Sequence, residues 1–186
     1  KAGEVVAGDA KLETDENAAF RQKGLEEKYG AVLEEEGDPY EREAKKRGLT
    51  YVSLDGTIGV IGNGAGLCMG TLDLVQRAGG AAANFCDIGG GARAEVVINA
   101  LEVILMNPKV EGVLINVFGG ITRGDEVARG IITARDKVGL KLPLVVRLSG
   151  TNQEEGREIL KQAGIEPGSS GWEAAQKIVE LTGGRR

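Results

Sequence analysis

From residue 49 onward, short apolar runs alternate with stretches in which apolar side chains recur every three or four positions. Runs of the first kind suit strands buried on both faces, and the second kind suits helices with one apolar stripe. "TYVSLDGTIGVIGN" reads as two strands joined at Asp55-Gly56, a dipeptide that favours a tight hairpin. A helix from about Leu67 carries Leu67, Thr71, Leu74, Val75 and Ala78 on one face and stops at Gly79-Gly80. "AAANFCDIG" predicts the next strand, and "GGARAEVVINALEVILMN" predicts a helix with Ala94, Val97, Leu101 and Leu105 inward. "GVLINVF" is apolar at nearly every position, and the helix after it spaces Val127, Ile131, Ala134 and Val138 by four, three and four. "LPLVVRLSG" predicts a fourth such strand. Thr151 with Glu154, and Ser170 with Glu173, have capping-box spacing for two more helices, one ending near Gly164 and one running through Leu181. A fifth strand is expected in "AGIEPGSSGW", although β-formers are few there.

This alternation predicts an α/β fold, an open, mostly parallel sheet of flavodoxin-like, doubly wound type with helices on both faces. The first 48 residues differ. They are charge-rich ("LEEEGDPYEREAKKRG"), show short helical patterns around Ala18–Tyr29 and Tyr40–Arg47, and read as a tail or linker against something larger.

Composition then narrows the functional classes. The 186 residues are 41% apolar and 27% charged, with interleaved signs and a net charge of −5, so the basic surplus that nucleic acid demands is missing. No apolar run reaches the ~20 residues of a membrane span, and no secretory signal opens the chain. A cytoplasmic location is expected, or the mitochondrial matrix in a eukaryote. The start at Lys1 rather than Met suggests a fragment or a processed product. Cys68 and Cys86 lie in apolar surroundings and read as buried free thiols. Histidine is absent, so Ser-His or Cys-His catalysis cannot come from these residues, and any histidine must be brought by another polypeptide.

In open α/β sheets ligands sit at the carboxyl ends of the strands. Three glycine-rich turns fall there, "GNGAG" at 62–66, "GGGA" at 89–92 and "FGGIT" at 118–122. In the third, Gly119 and Gly120 permit a sharp turn, and the amides of Gly120, Ile121 and Thr122 would project unpaired from a helix tip that favours an anion. Asp125, three residues beyond Thr122, is spaced to compete for one of those donors. Asn63 reads either as a turn residue or as a ligand contact, since it offers both a donor and an acceptor. Arg93 and Arg123 oppose the helix dipole and read as solvated charge, or as contacts for an anion or a partner. No dinucleotide fingerprint or Walker A sequence occurs. The residues by themselves point to an anion-binding crevice, with simple tight turns as the alternative.

Four stretches, "YVSLDGTIGVIGNGAGLCMGTLDLV", "ANFCDIGGGA", "VLINVFGGITRGDEVARGI" and "LPLVVRLSGTN", resemble the C-terminal domain of succinyl-CoA synthetase β subunits. The likeness extends upstream through "GDAKLETDENAAFRQ". It implies that residues 1–48 are the end of an ATP-grasp domain with its linker, and that 49–186 form a flavodoxin-like CoA-ligase domain. It further implies ligation of succinate to CoA driven by ATP or GTP, through a phosphohistidine on an α subunit, with Mg²⁺ held in the grasp part. The implied partners are that α subunit, succinate and phosphate, without nucleic acid or membrane, and the segment alone is expected to be inactive.

By the same resemblance, Gly120, Ile121 and Thr122 form a substrate-binding stretch whose amides assist a reaction that uses no catalytic side chain of this segment. Asn63 matches a substrate-binding asparagine. Asp9 matches a Mg²⁺ ligand whose companion asparagine would precede Lys1. Gly124 stands where many relatives have Cys. Similar loops in ligases for malate or citrate leave the acid open, and a non-catalytic anion-binding module of the same fold is the reading from another class.

Overall fold

The computed structural model describes residues 3, 5–9, 16–25, 28, 37–90, 93–120, 123–165 and 167–183. The chain divides into two units, Lys1–Gly37 and Asp38–Arg186. In the first, Glu16–Arg21 form a 3-10 helix, with the Arg21 guanidinium 5.6 Å from the centre of the Phe20 ring. Tyr29, the end of the helical pattern expected there, lies outside the described residues.

In the second unit the chain runs α1 (Pro39–Lys46), β1 (Thr50–Ser53), β2 (Ile58–Gly62), α2 (Ala65–Arg77), β3 (Asn84–Asp87), α3 (Ala94–Leu105) and β4 (Gly112–Gly119). It continues through α4 (Gly124–Val138), β5 (Leu144–Gly150), α5 (Gln153–Gln162), β6 (Pro167–Gly168) and α6 (Gly171–Leu181). The sheet order is β1-β3-β2-β4-β5-β6, parallel except for β1. Without β1, the parallel core has the 2-1-3-4-5 order of the flavodoxin-like fold, as the alternation of elements predicts.

The hairpin expected at Asp55-Gly56 does not form. β1 pairs instead with β3, antiparallel, matching Tyr51 to Cys86 and Val52 to Phe85. A type I′ hairpin needs positive φ at both central residues, and neither Asp55 nor Gly56 has it. Gly56 is required for another reason: a Cβ there would lie 2.2 Å from the carbonyl oxygen of Ala81. The connection crosses the start of β3 at backbone contact, with Gly56 N donating to Ala82 O and Thr57 N to Ala81 O.

Burial on both faces explains the near-continuous apolar strands. β4 sends Val113, Ile115 and Val117 into a cluster with side chains of α3, α4 and α5. Leu114 faces the other way, into a cluster with Val75 of α2 and Ala174, Ala175 and Ile178 of α6. α3 buries Val97, Ile98, Leu101 and Ile104, each such side chain stabilising the fold by roughly 1.5–3 kcal/mol, while Ala94 and Leu105 are half-buried. α1 belongs to this body. Asp38 caps it by accepting from Tyr40 N and Glu41 N, Ala44 is fully buried, and Arg47 pairs with Glu102 of α3.

The helix starts bear out one cap and correct the other. Ser170 Oγ accepts from Glu173 N at 3.1 Å, as its spacing predicts. Thr151 does not cap α5. The N-cap is Asn152, at φ 56° and without a side-chain cap bond, and the Thr151 hydroxyl is drawn across to the β4–α4 turn. The fifth parallel strand is only two residues long, and its proline is tolerated because β6 lies at the sheet edge.

At Gly124 and Gly156, α4 and α5 approach with no Cβ between them. A Cβ on Gly156 would lie 2.6 Å from Gly124 O and 2.5 Å from Leu148 Cδ2. Gly70, in mid-α2, faces open space instead. Gly156→Ala should therefore cost about 1–3 kcal/mol in a urea titration through overpacking. Gly70→Ala should add roughly 0.5–1 kcal/mol through lower unfolded-state entropy. The same chemical change is thus expected to act with opposite signs at two helical positions.

Candidate functional site

α2 leaves β2 toward the cluster shared with α6, whereas α4 leaves β4 toward the opposite cluster. β2 and β4 are hydrogen-bonded neighbours, so the chain diverges to opposite faces between their carboxyl ends. That is the topological switch point, where open α/β sheets hold ligands.

Asn63 stands there, immediately after β2. Its Nδ2 donates to Phe118 O at 2.9 Å, and Phe118 N donates to its Oδ1 at 2.8 Å. The last β2–β4 backbone pair is Gly62 with Asn116, so the carboxamide extends the ladder by acting as one more peptide unit. Asn63 and the 118–120 turn, picked out separately in the sequence, are thereby joined. One amide hydrogen and one lone pair of Asn63 remain for a ligand.

A second polar side chain ties the neighbouring turns. Asp87 Oδ1, at the end of β3, accepts from Gly64 N at 2.6 Å and from Gly89 N at 2.8 Å. Thr151 buckles the β4–α4 turn with three bonds. Its amide donates to Gly119 O, its hydroxyl donates to Gly120 O, and its carbonyl accepts from Gly124 N. Below the edge, Asn116 Nδ2 donates to Thr71 Oγ1 at 2.8 Å, and Arg147 donates to Asn116 Oδ1 at 3.3 Å.

α4 begins at Gly124, two residues later than the start expected near Thr122. The cause is close packing. Gly124 N is taken by Thr151 O at 2.8 Å, and a Cβ on Gly124 would lie 2.9 Å from Asn152 O. A cysteine at this position would force the 151–152 turn to move.

The positive end of α4 is answered from within the chain. The buried Asp125 carboxylate accepts from Arg123 Nε and Nη2 at 3.0 and 3.2 Å and from Asn152 Nδ2 at 3.3 Å. The Arg123 hydrogen bond holds the Asp125 carboxyl below its ordinary range, against an opposing effect of burial. Arg123 is therefore ion-paired, while Arg93 is exposed at the N-cap of α3.

Gly120 is exposed, and a Cβ on it would meet nothing within 4 Å, so the turn opens outward. Ile121 and Thr122 lie outside the described residues. Asp9 is exposed in the first unit. Among the described residues no group of three or more His, Cys, Asp or Glu is arranged to hold a metal ion, so these residues do not complete the Mg²⁺ site expected at Asp9. Burial pushes the Cys68 and Cys86 thiols up to about 12, and Cys68 Sγ donates to Cys86 O, as suits inert core thiols. No helix among the described residues is long and apolar enough to cross a membrane.

Comparisons with known proteins place the chain in a family. The CoA-ligase family model matches residues 61–178, from the end of β2 into α6. The chain belongs to the CoA-ligase family. It is 50% identical over 183 residues to the ADP-forming succinate–CoA ligase subunit beta of Hydrogenobaculum sp., covering 97% of this chain and 47% of that protein. It is 52% identical over 182 residues to the GDP-forming subunit beta of Thermus thermophilus, covering 98% and 47%. The chain thus spans about half the length of the curated relatives it matches. Among solved structures, ATP citrate lyase from Methanothrix soehngenii in complex with citrate and coenzyme A shares the fold, with a TM-score of 0.56 and 20% identity over 70% of this chain and 41% of that one.

Within this CoA-ligase domain, the sequence reading missed Asp87 and Thr151. A signal for Asp87 was present: an acidic residue between a strand and a Gly-Gly turn is placed to accept from the backbone two residues on. Thr151 carried the opposite signal, because its spacing to Glu154 mimics a cap.

The Asp125 pairing sets a pH dependence. Its folded pKa lies below the unfolded value of about 3.9, so the stability it contributes is complete above that value and is lost as pH falls through the folded pKa. Arg123→Gln should shrink the fall in urea midpoint between neutral pH and about pH 3, and high salt should shrink it in the parent chain, since the Arg123 side chain is half-exposed.

Proposed function

We propose that this chain is the carboxyl-terminal part of the β subunit of a succinate–CoA ligase. The complete enzyme joins succinate to CoA at the expense of ATP or GTP, and an α subunit supplies the histidine that carries the phosphoryl group. The observation that carries this reading is the end-to-end match, at 50–52% identity, to subunits of that name. It is supported by the polar clasp at the switch point, where such a domain would meet its ligand. Relatives of equal similarity are named ADP-forming and GDP-forming, so the nucleotide choice stays with the half of the enzyme outside this chain. The same holds for Mg²⁺, for which the described residues offer no set of ligands.

On this reading the segment contributes main-chain donors and shape. It holds no histidine to carry a phosphoryl group, and burial keeps its two thiols protonated at neutral pH. The first residues of the glycine-rich turn, Phe118 to Gly120, are tied to Asn63 at the crevice through the Asn63–Phe118 bonds. The amides of this turn would meet oxygen atoms of succinate or phosphate, which gain charge during transfer and are stabilised by donors already fixed in place. Asn63 would hold substrate with its spare amide hydrogen while its other atoms grip β4.

The test uses the complete β subunit with its α partner. Gly120 faces open space, so Gly120→Val is expected to keep the melting temperature while blocking the turn. Succinate- and CoA-dependent nucleotide turnover should fall by at least about tenfold in kcat/KM, equivalent to about 1.4 kcal/mol of transition-state stabilisation. Unchanged turnover would remove the turn from the reaction. Turnover with malate or citrate in preference to succinate would change the acid and leave the reaction class standing.

A further inference from the structure

Asp87 lies in one of the stretches that carry the family resemblance but is none of the residues to which that resemblance assigns a role, yet its carboxylate links two of the three glycine-rich turns. We propose that Asp87 is a positioning residue for the acid-binding crevice. One of its carboxylate oxygens holds the turns after β2 and β3 together and thereby fixes Asn63 against β4. This inference rests on the functional reading above.

The argument starts from unsatisfied donors. Gly64 is the N-cap of α2, has φ 111°, and carries no side chain to cap the helix. Gly89 has φ 68° and starts the turn after β3. Each presents an amide at the sheet edge, and Asp87 Oδ1 accepts both. Charge-assisted bonds of this kind are stronger than neutral ones, and a carboxylate near a helix N-terminus is further favoured by the helix dipole.

Gly64 directly follows Asn63, whose carboxamide is bonded to both backbone atoms of Phe118. The result is a continuous series from the β3 turn through Asp87, Gly64 and Asn63 to β4. If Asp87 lets go, the residue before Gly64 loses its fixed direction and the spare amide hydrogen of Asn63 points less uniformly. The damage should appear in substrate binding more than in the chemical step.

Two substitutions separate the clasp from the charge. Asp87→Ala removes the oxygen that accepts both amides. Asp87→Asn keeps an oxygen able to accept both amides and removes a negative charge from the mouth of a crevice built for anions. In the complete αβ enzyme, Asp87→Ala should raise the KM for succinate about tenfold while kcat changes less than about twofold, and Asp87→Asn should keep KM at or below the parent value.

Amide hydrogen exchange in the 186-residue chain reads the clasp without any turnover. Gly64 and Gly89 should both exchange faster in Asp87→Ala and remain protected in Asp87→Asn. If Asp87→Ala does not fold, Asp87→Ser takes its place, and its single short hydroxyl should leave at least one of the two amides fast. A parent-like KM in Asp87→Ala, or equal damage in both variants, overturns the positioning role. Unchanged exchange in Asp87→Ala overturns the clasp itself. Absence of turnover in the parent αβ enzyme counts against the functional reading, while the exchange rates still judge the clasp.

Discussion

Where parallel strands end, their last amides and carbonyls lose the ladder that satisfied them, and each group needs a new partner or water. This constraint shapes the carboxyl edge of the sheet. Asn63 takes both backbone atoms of Phe118, Asp87 takes Gly64 and Gly89, and Thr151 serves Gly119, Gly120 and Gly124. Gln153 Oε1 adds Gly150 N at 3.0 Å. Asp87 to Gly64, Asn63 to Phe118 and Thr151 to Gly119 and Gly120 each cross from one strand end to the next, so the four strand ends are joined in series. A typical bond of this kind contributes only about 1 kcal/mol net, but leaving a buried group unpaired costs more. These bonds lie at exposed or half-buried positions, so the edge is held by the number of such modest bonds rather than by the second effect.

The same logic appears inside the sheet. β2 and β3 diverge between the Ile58–Ala82 bridge and the Gly62–Asp87 pair, and the buried Asn84 carboxamide fills the gap by bonding Val60 N and Val60 O. Asn84 and Asn63 thus do the same job at two heights along β2, each acting as an extra peptide group where the ladder opens. At the surface end the spare hydrogen-bonding capacity is open to a ligand, and in the core burial shuts it away. Position along the strand, rather than residue type, separates the structural asparagine from the one with capacity for a ligand.

The architecture was legible in the sequence because burial on both faces writes itself into continuous apolar runs such as "GVLINVF", and one-sided burial writes a helical period. The antiparallel partner of β1 was not legible. Asp55-Gly56 has the composition of a hairpin turn, but its glycine answers a contact with Ala81 that is remote in sequence. Thr151 failed for a related reason: local spacing offers a cap, and a long-range bond to Gly120 competes with it and prevails. Asn63 and Gly120 were readable as crevice residues from their glycine-rich turns. The bond that joins them to one site depends on strand order, which no local pattern encodes.

The start of α4 shows how packing decides what chemistry remains. Gly124 and Gly156 bring two helices into backbone contact, and this draws the Gly124 amide onto Thr151 and places Asp125 where the helix would otherwise attract a foreign anion. The dipole of α4 is therefore already occupied in part, and attraction for an incoming oxyanion has to come from the turn that precedes the helix. The described start of that turn, Gly119 and Gly120, is pinned to Thr151 through its two carbonyls. Donors held in this way need no reorganisation when negative charge develops in front of them, which is the condition under which a main-chain amide stabilises an oxyanion well.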